Sequence, residues 1–183
     1  TTEIYTLSLH DALPICYADD GVVHCRTESE AQKLREALEV RFRKCKLGLH
    51  PEKTRIVYCK DDARGGGYPV IKLDFLGFTF RPRFCKSRRG NYFIGFSPAM
   101  SNEAGKRMRE KIRRWKLHLR SDKSLEDLSR MISPIVRGWI NYYGSFYKSA
   151  IYSTLYHLNG ILVRWAMRKF KKLKGHLTRA DRK

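Results

Sequence analysis

What this sequence lacks narrows it before any motif is read. No apolar run approaches the roughly 18 to 20 residues that a bilayer-crossing helix needs, so no membrane partner is expected. The first fifteen residues have no basic start of the kind a secretory leader carries, and Glu3 and Asp11 stand there instead. An intracellular chain, cytoplasmic or organellar, is expected. The cysteines Cys16, Cys25, Cys45, Cys59 and Cys85 show no C-x-x-C spacing and no paired histidines, which suggests neither a zinc site nor a disulfide framework. Internal repeats and low-complexity tracts are missing as well. The chain is above all short of acid: 18 Asp and Glu stand against 38 Lys and Arg, a formal net charge of +20. An excess of that size implies a polyanionic partner, because clustered cations gain affinity by releasing counterions from phosphates.

The imbalance is uneven along the chain. Residues 1–97 carry 17 basic and 12 acidic side chains, whereas residues 98–183 carry 21 and 6. The polyanion is expected mainly against the C-terminal half. With 42% apolar residues, the 183-residue chain can bury the core of one or two small domains.

Within the nearly balanced half, Tyr17-Ala18-Asp19-Asp20-Gly21 sets adjacent carboxylates between an apolar approach (Leu13, Ile15) and an apolar exit (Val22, Val23). Neighbouring side chains of a strand point to opposite faces, so both acids can serve one site only at a hairpin tip, which Asp20-Gly21 is expected to form. Two like charges so close favour a hard divalent cation with oxygen ligands, although a solvated Asp-Asp-Gly turn has the same residues.

Residues 27–46 read as a helix, with Thr27 and Glu30 as a capping box, Ala31, Leu34, Leu38 and Phe42 on one face, and Gly48 suited to the C-terminal cap. Residues 54–59 alternate as a strand, and residues 61–68, with three consecutive glycines, form a loop. Residues 73–80 and 91–96 read as paired strands. Beyond Ser97-Pro98, taken as the domain boundary, the pattern turns helical. Ser101 can cap a helix whose apolar stripe is Ala104, Met108, Ile112, Trp115 and Leu119. Lys106, Arg107, Arg109, Lys111, Arg113, Arg114 and Lys116 cover much of its remaining surface, relieved only by Glu103 and Glu110. That patterning favours phosphate contact over a merely solvated face. A second helix starts at Ser124, boxed by Asp127, and turns Leu125, Leu128, Ile132, Ile135, Trp139 and Tyr143 inward; Pro134 is expected to kink it. A third spans about residues 150–174, with Ile151, Leu155, Leu158, Leu162 and Trp165 buried and a basic patch that includes Arg168, Lys169, Lys171 and Lys172. The tryptophans at helical spacing read as core; Tyr142, Tyr143 and Tyr147 can pack or meet RNA.

Four strings in order give the chain a family resemblance. Tyr17-Ala18-Asp19-Asp20, Leu47-Gly48-Leu49-His50-Pro51-Glu52-Lys53-Thr54, Phe75-Leu76-Gly77-Phe78 and Gly138-Trp139-Ile140-Asn141-Tyr142-Tyr143 resemble successive blocks of the reverse transcriptases and maturases encoded by group II introns. The resemblance implies an α+β chain: the C-terminal part of a polymerase palm over residues 16–97, then a helical thumb and maturase domain over residues 98–183. It implies RNA-directed DNA synthesis and help in intron folding for splicing, with intron RNA, RNA template, DNA primer and dNTP as partners. By resemblance Asp19 and Asp20 are catalytic carboxylates that hold Mg²⁺, Asp19 directly and Asp20 assisting. Lys53 lies near the leaving pyrophosphate, and Phe75, Leu76 and Gly77 hold the primer end. Lys53 can also be an ordinary surface lysine, and the Phe75-Leu76-Gly77 stretch an ordinary half-buried hairpin. The third metal carboxylate and the nucleotide-binding fingers are expected in upstream sequence, so no activity is expected of this chain alone. Residues 1–15 match nothing expected upstream of the Asp-Asp turn and read as translated cloning or adapter sequence. A non-catalytic RNA-binding splicing factor, which needs only the basic helices, is the alternative; a retron or diversity-generating polymerase is weakened by Gly138-Trp139-Ile140-Asn141-Tyr142-Tyr143. No Cys/His cluster of an H-N-H endonuclease is present.

Overall fold

The computed structural model describes residues 14–176, so most of the segment expected to be foreign lies outside the described residues. Strands and helices are segregated along the chain, as in an α+β protein. The chain divides into two compact units, of which the first comprises residues 14–58 and 68–70 and the second residues 59–67 and 71–176.

In the first unit, β1 (Pro14–Tyr17) pairs antiparallel with β2 (Asp20–Val23) and is followed by α1 (Glu28–Lys44). The Thr27 hydroxyl accepts from the Glu30 N–H (3.2 Å), as a capping residue should. The Glu30 carboxylate, however, accepts from the N–H of Arg26 (2.8 Å), one residue before the cap, so only half of the expected box forms. The helix also ends earlier than its glycine suggests. Lys46, not Gly48, takes the left-handed conformation (φ 58°), and the Lys46 and Leu47 N–H groups reach back to the carbonyls of Arg43 and Phe42 (3.0 and 2.8 Å). That pair of bonds already satisfies the terminal carbonyls, which removes the need for glycine two residues later. No side chain of α1 is fully buried. The strand expected over residues 54–59 does not form. The Tyr58 N–H does reach the Val70 carbonyl (2.9 Å), but the facing segment contains Pro69, which has no N–H to extend a ladder.

The second unit begins with a three-stranded antiparallel sheet, β3 (Leu73–Phe75), β4 (Phe78–Lys86) and β5 (Tyr92–Met100). The run read as one strand over residues 73–80 is thus two, broken at Leu76-Gly77. β5 runs through Ser97-Pro98 to Met100, and Pro98 is tolerated because β5 is an edge strand. Ser101 follows directly as the N-cap of α2 (Asn102–Arg114), its hydroxyl accepting from the Ala104 N–H (3.1 Å).

Ala104, Met108 and Ile112 of α2 are buried as expected, but the stripe does not continue to Leu119. Lys116 turns left-handed (φ 49°) and opens a short 3₁₀ segment, Leu117–Leu119, which swings Leu117 into the core (0% exposed) and leaves Leu119 48% exposed. α3 (Leu125–Tyr143) opens with the full Ser124–Asp127 capping box and passes through Pro134. Its Leu128 and Ile132 are buried, whereas Leu125, in the first turn, stays exposed. α4 (Ser149–Lys169) stops at Phe170, five residues short of the expected end, and a 3₁₀ turn (Lys171–Leu173) follows.

The helical core has two adjoining clusters and a smaller one of Val163 and Leu173 at the end of α4. Met100, Ala104, Met108 and Ile151 form the first of the adjoining pair, and Ile112, Leu117, Leu128, Ile132, Leu158, Ile161 and Trp165 the second; Trp139 packs against both. Trp115 stacks on Trp139 with ring centroids 5.6 Å apart, and the Trp165 indole donates to the Arg120 carbonyl (2.8 Å). The three tryptophans are core residues, as their spacing suggested.

The displaced leucine gives a direct stability test. Leu117→Ala is expected to destabilise the second unit by about 2–5 kcal/mol, and Leu119→Ala by less than about 1 kcal/mol, in urea unfolding followed by circular dichroism. Equal losses would mean that the chain continues as a regular helix past Arg114.

Candidate functional site: a carboxylate hairpin and a basic helical face

The register of the first hairpin decides where its carboxylates stand. Tyr17 pairs with Asp20 and Cys16 with Gly21, so the two-residue tip is Ala18-Asp19, not Asp20-Gly21. Only the first tip residue, Ala18, has positive φ (53°), the pattern of a type II′ turn that usually places glycine there. Alanine in that region costs on the order of 1–2 kcal/mol. Asp19 therefore projects from the turn and Asp20 from the first position of β2, both exposed. A strand alone would have sent them to opposite faces. Among the described residues, no three side chains of His, Cys, Asp or Glu gather around one point. What the hairpin does offer is a pair of hard oxygen donors without an ion-pair partner among the described residues. That suits Mg²⁺, which commonly takes one or two protein carboxylates and completes its shell with water and phosphate oxygens.

Lys53 belongs to the same compact unit. It is exposed at the end of a turn closed by the Thr54 N–H donating to the His50 carbonyl (2.9 Å) and the Glu52 N–H to His50 Nδ1 (3.3 Å).

Phe75, Leu76 and Gly77 form the tight β3–β4 turn. Leu76 and Gly77 both have positive φ (49° and 78°), as a type I′ turn requires. Three contacts fix it. The Ser101 N–H donates to the Gly77 carbonyl (2.9 Å), the Tyr142 hydroxyl donates to the Leu76 carbonyl (2.9 Å), and the Tyr143 hydroxyl lies 2.7 Å from where a Cβ on residue 77 would stand. Glycine is thus required twice, for its φ and for its missing side chain. Burial, together with Tyr142 and against the pull of Arg107, raises the pKa of the Tyr143 hydroxyl and keeps it neutral. The sequence left both tyrosines open between packing and RNA, and their grip on the turn carried no sequence signal because it spans about 65 residues.

On α2, Lys106, Arg107, Arg113, Arg114 and the following Lys116 are exposed, and Arg109 is half-buried. None of them has a carboxylate within ion-pair range among the described residues. Arg168, Lys171 and Lys172 are exposed as well, but Lys169 is engaged. Its ammonium donates to the carbonyls of Ser121 (3.2 Å) and Lys123 and lies 5.6 Å from the Trp165 ring centre. It ties the end of α4 to the loop before α3.

Sequence reasoning missed a further group. His157 of α4 has its Nε2 buried without a hydrogen-bond partner, and its pKa is pushed below 6.5, first by burial and then by Arg113, Arg164 and Arg109. Arg164 lies two turns along α4, and the other arginines come from α2; only the packing of the helices brings the four together.

Two family models match separate stretches of the chain. The model of the reverse transcriptase (RNA-dependent DNA polymerase) domain matches residues 4–80, which include the carboxylate hairpin, Lys53 and the Leu76-Gly77 turn. The model of the group II intron maturase-specific domain matches residues 105–182, from α2 to beyond α4. No curated protein and no solved structure gives a match.

His157 makes stability depend on pH. The unfolded chain takes up its proton near pH 6.5 and the folded chain only below that, so the contribution is complete above 6.5 and is lost as pH falls from there through the folded value. The urea midpoint is expected to drop between about pH 7.5 and 5.5, and His157→Gln is expected to flatten that drop. An unchanged pH profile in the variant would assign the dependence to other groups.

Proposed function

Because the chain belongs to the reverse transcriptase and maturase proteins of group II introns, we propose that residues 16–97 contribute part of a polymerase palm and residues 98–183 a thumb and maturase surface that grips RNA. Reverse transcription and intron splicing are the functions these domains serve, and nucleic acid is the partner they imply. The observation that carries the residue-level reading is the exposed, unneutralised Asp19–Asp20 pair on a strained turn inside the polymerase match.

Asp19 and Asp20 would hold Mg²⁺, which when bound supplies charge stabilisation on phosphoryl oxygens and a more acidic primer hydroxyl. Lys53 would neutralise charge that develops on the departing pyrophosphate or donate a proton to it. The Leu76-Gly77 turn, pinned from behind by Tyr142 and Tyr143, would let backbone approach the primer end closely. Lys106, Arg107, Arg109, Arg113, Arg114 and Lys116 would contact the RNA backbone, with Arg168, Lys171 and Lys172 adding to it. The maturase match over residues 105–182 supports the intron-encoded class over a retron or diversity-generating polymerase.

In a polypeptide that supplies the remaining polymerase elements, Asp19→Ala is expected to abolish primer extension on an RNA template, and Lys53→Ala to slow extension with little change in RNA affinity. Wild-type extension by Asp19→Ala would reject the metal role and favour the splicing-factor reading.

The RNA surface is tested separately. Replacing Arg109, Arg113 and Lys116 with Gln is expected to leave folding nearly intact, the changes at the exposed Arg113 and Lys116 costing within about 0.5 kcal/mol each. RNA binding should weaken, and the slope of log K against log salt should shrink by roughly 0.7–0.9 for each phosphate that is no longer neutralised. A folded variant with an unchanged slope would place the RNA backbone away from α2.

A further inference from the structure

The β4–β5 ribbon has one apolar face with two different fates. Cross-strand pairing puts Phe78, Met100, Phe80, Pro98, Phe84 and Tyr92 on that face. At its inner end Phe78 is buried, enclosed by the rings of Tyr142, Tyr143 and Phe146 at 5.1, 5.2 and 5.5 Å. At its outer end Phe84 and Tyr92 are 67% and 64% exposed, yet their rings stack on each other 5.6 Å apart. The Lys86 ammonium stands 5.4 Å from the Tyr92 ring centre. Beyond them the ribbon turns through Ser87 and Gly90, held by the Ser87 N–H to the Asn91 carbonyl (2.8 Å) and the Gly90 N–H to the Ser87 carbonyl (3.0 Å). The turn presents Arg88 and Arg89, both exposed.

Charge identifies the occupant. Between Asp74 and Glu103 the sequence contains no acidic residue. Two carboxylates reach the ribbon and both are occupied there: Asp62 accepts from the Ile94 N–H (2.7 Å) and Asp74 from the Thr79 hydroxyl. Arg83 is also occupied, donating to the carbonyls of Ser97 and Thr79 and lying over the Tyr147 ring. On the apolar face and its tip, Lys86 stands over the Tyr92 ring, and Arg88 and Arg89 extend from the adjoining turn with no ion-pair partner among the described residues. A cationic groove with aromatic platforms is how unpaired nucleotides are held irrespective of base, and the absence of any acid from this stretch suits a phosphate backbone. Paired bases cannot offer a face to such a platform.

We propose that Phe84 and Tyr92, flanked by Lys86, Arg88 and Arg89, form a stacking platform for unpaired nucleotides of RNA. It is separate from the backbone contacts of α2 and deepens the RNA-binding reading on which it rests. The two components differ in character: the α2 contacts are electrostatic and indifferent to strandedness, whereas the platform selects single strands.

The test uses the 183-residue chain with two probes, oligo(A) RNA of about 12 nucleotides and an RNA duplex of the same length. Phe84→Ala with Tyr92→Ala is expected to weaken oligo(A) binding about ten-fold or more with an unchanged salt slope, and to change duplex binding by less than about two-fold. Arg88→Gln with Arg89→Gln should instead reduce the salt slope. Should the alanine pair fail to fold by circular dichroism, Phe84→Leu with Tyr92→Leu, which keeps apolar bulk and removes the ring faces, reads the same weakening. If the α2 triple variant weakens oligo(A) binding and the aromatic pair does not, RNA binding stands and the platform is rejected. If the unsubstituted chain binds neither probe, both are rejected. A dimer of the unsubstituted chain that the aromatic substitutions dissociate in sedimentation would give this face to a second copy and overturn the proposal.

Discussion

The arrangement of the second unit depends on one enclosed ring. Phe78 sits at the first position of β4, and Tyr142, Tyr143 and Phe146 close around it from the end of α3. This contact fixes the start of the sheet to the helices, and the same tyrosines hold the Leu76-Gly77 turn through a hydroxyl–carbonyl bond and a close approach to the glycine. Because Phe78 pairs with Met100, the ring also sets where β5 ends, and with it the N-cap of α2, Ser101, one residue later. The placement of a turn in the polymerase match and of the basic helix in the maturase match thus depends on side chains that the two matched segments exchange. That is a physical reason for Gly138-Trp139-Ile140-Asn141-Tyr142-Tyr143 to accompany Phe75-Leu76-Gly77-Phe78 in one chain.

The basic helix α2 is tolerated because its other face is committed. Ala104, Met108 and Ile112 are buried in the two adjoining clusters, and burying such side chains contributes roughly 1.5–3 kcal/mol for each large one. Repulsion among exposed cations is screened within about 8–10 Å at physiological salt, so the apolar stripe wins and the helix forms with its charge unneutralised. The same repulsion leaves the surface open to an external anion. His157 reports on it from behind: three arginines and burial hold it neutral, and an anion set among those arginines would relax that pressure.

Local features were legible in the sequence and long-range ones were not. The Ser124–Asp127 capping box, the Thr27 cap, the helical stripe through Ile112 and the tryptophan core follow from spacing, because helix faces repeat at three and four residues. The Ala18-Asp19 tip was misplaced because Asp-Gly is the stronger turn signal, and only strand register, set by the pairing of Ile15 with Val22, decided otherwise. Leu117 replaced Leu119 because Lys116 adopts positive φ, a choice that no residue type announces in a lysine. The role of Lys169 as a tether, the tyrosine grip on Gly77 and the arginines around His157 all join residues far apart in sequence. The basic tip of the β4–β5 ribbon escaped notice for another reason: exposed aromatics in a strand pattern read as buried until the sheet shows which end is uncovered.

Charges of both signs are left open in the same chain, and that is informative. A polypeptide with twice as many cations as anions could neutralise Asp19 and Asp20 with its own lysines and arginines, as it does elsewhere: Glu39 pairs with Arg43, Asp61 with Arg64 and Asp122 with Lys123. Those pairs are local, exposed and worth at most about 1 kcal/mol each, so forming another would be easy. Instead, among the described residues, the two carboxylates on the strained turn and the cations of α2 have no ion-pair partner. Pairing them internally would quench the reactivity of each toward its own external counter-charge, a hard cation for the acids and phosphate for the bases. The acids stand on a turn of the nearly balanced half and the bases on a helix of the strongly cationic half, and each set is left open to an external counter-charge.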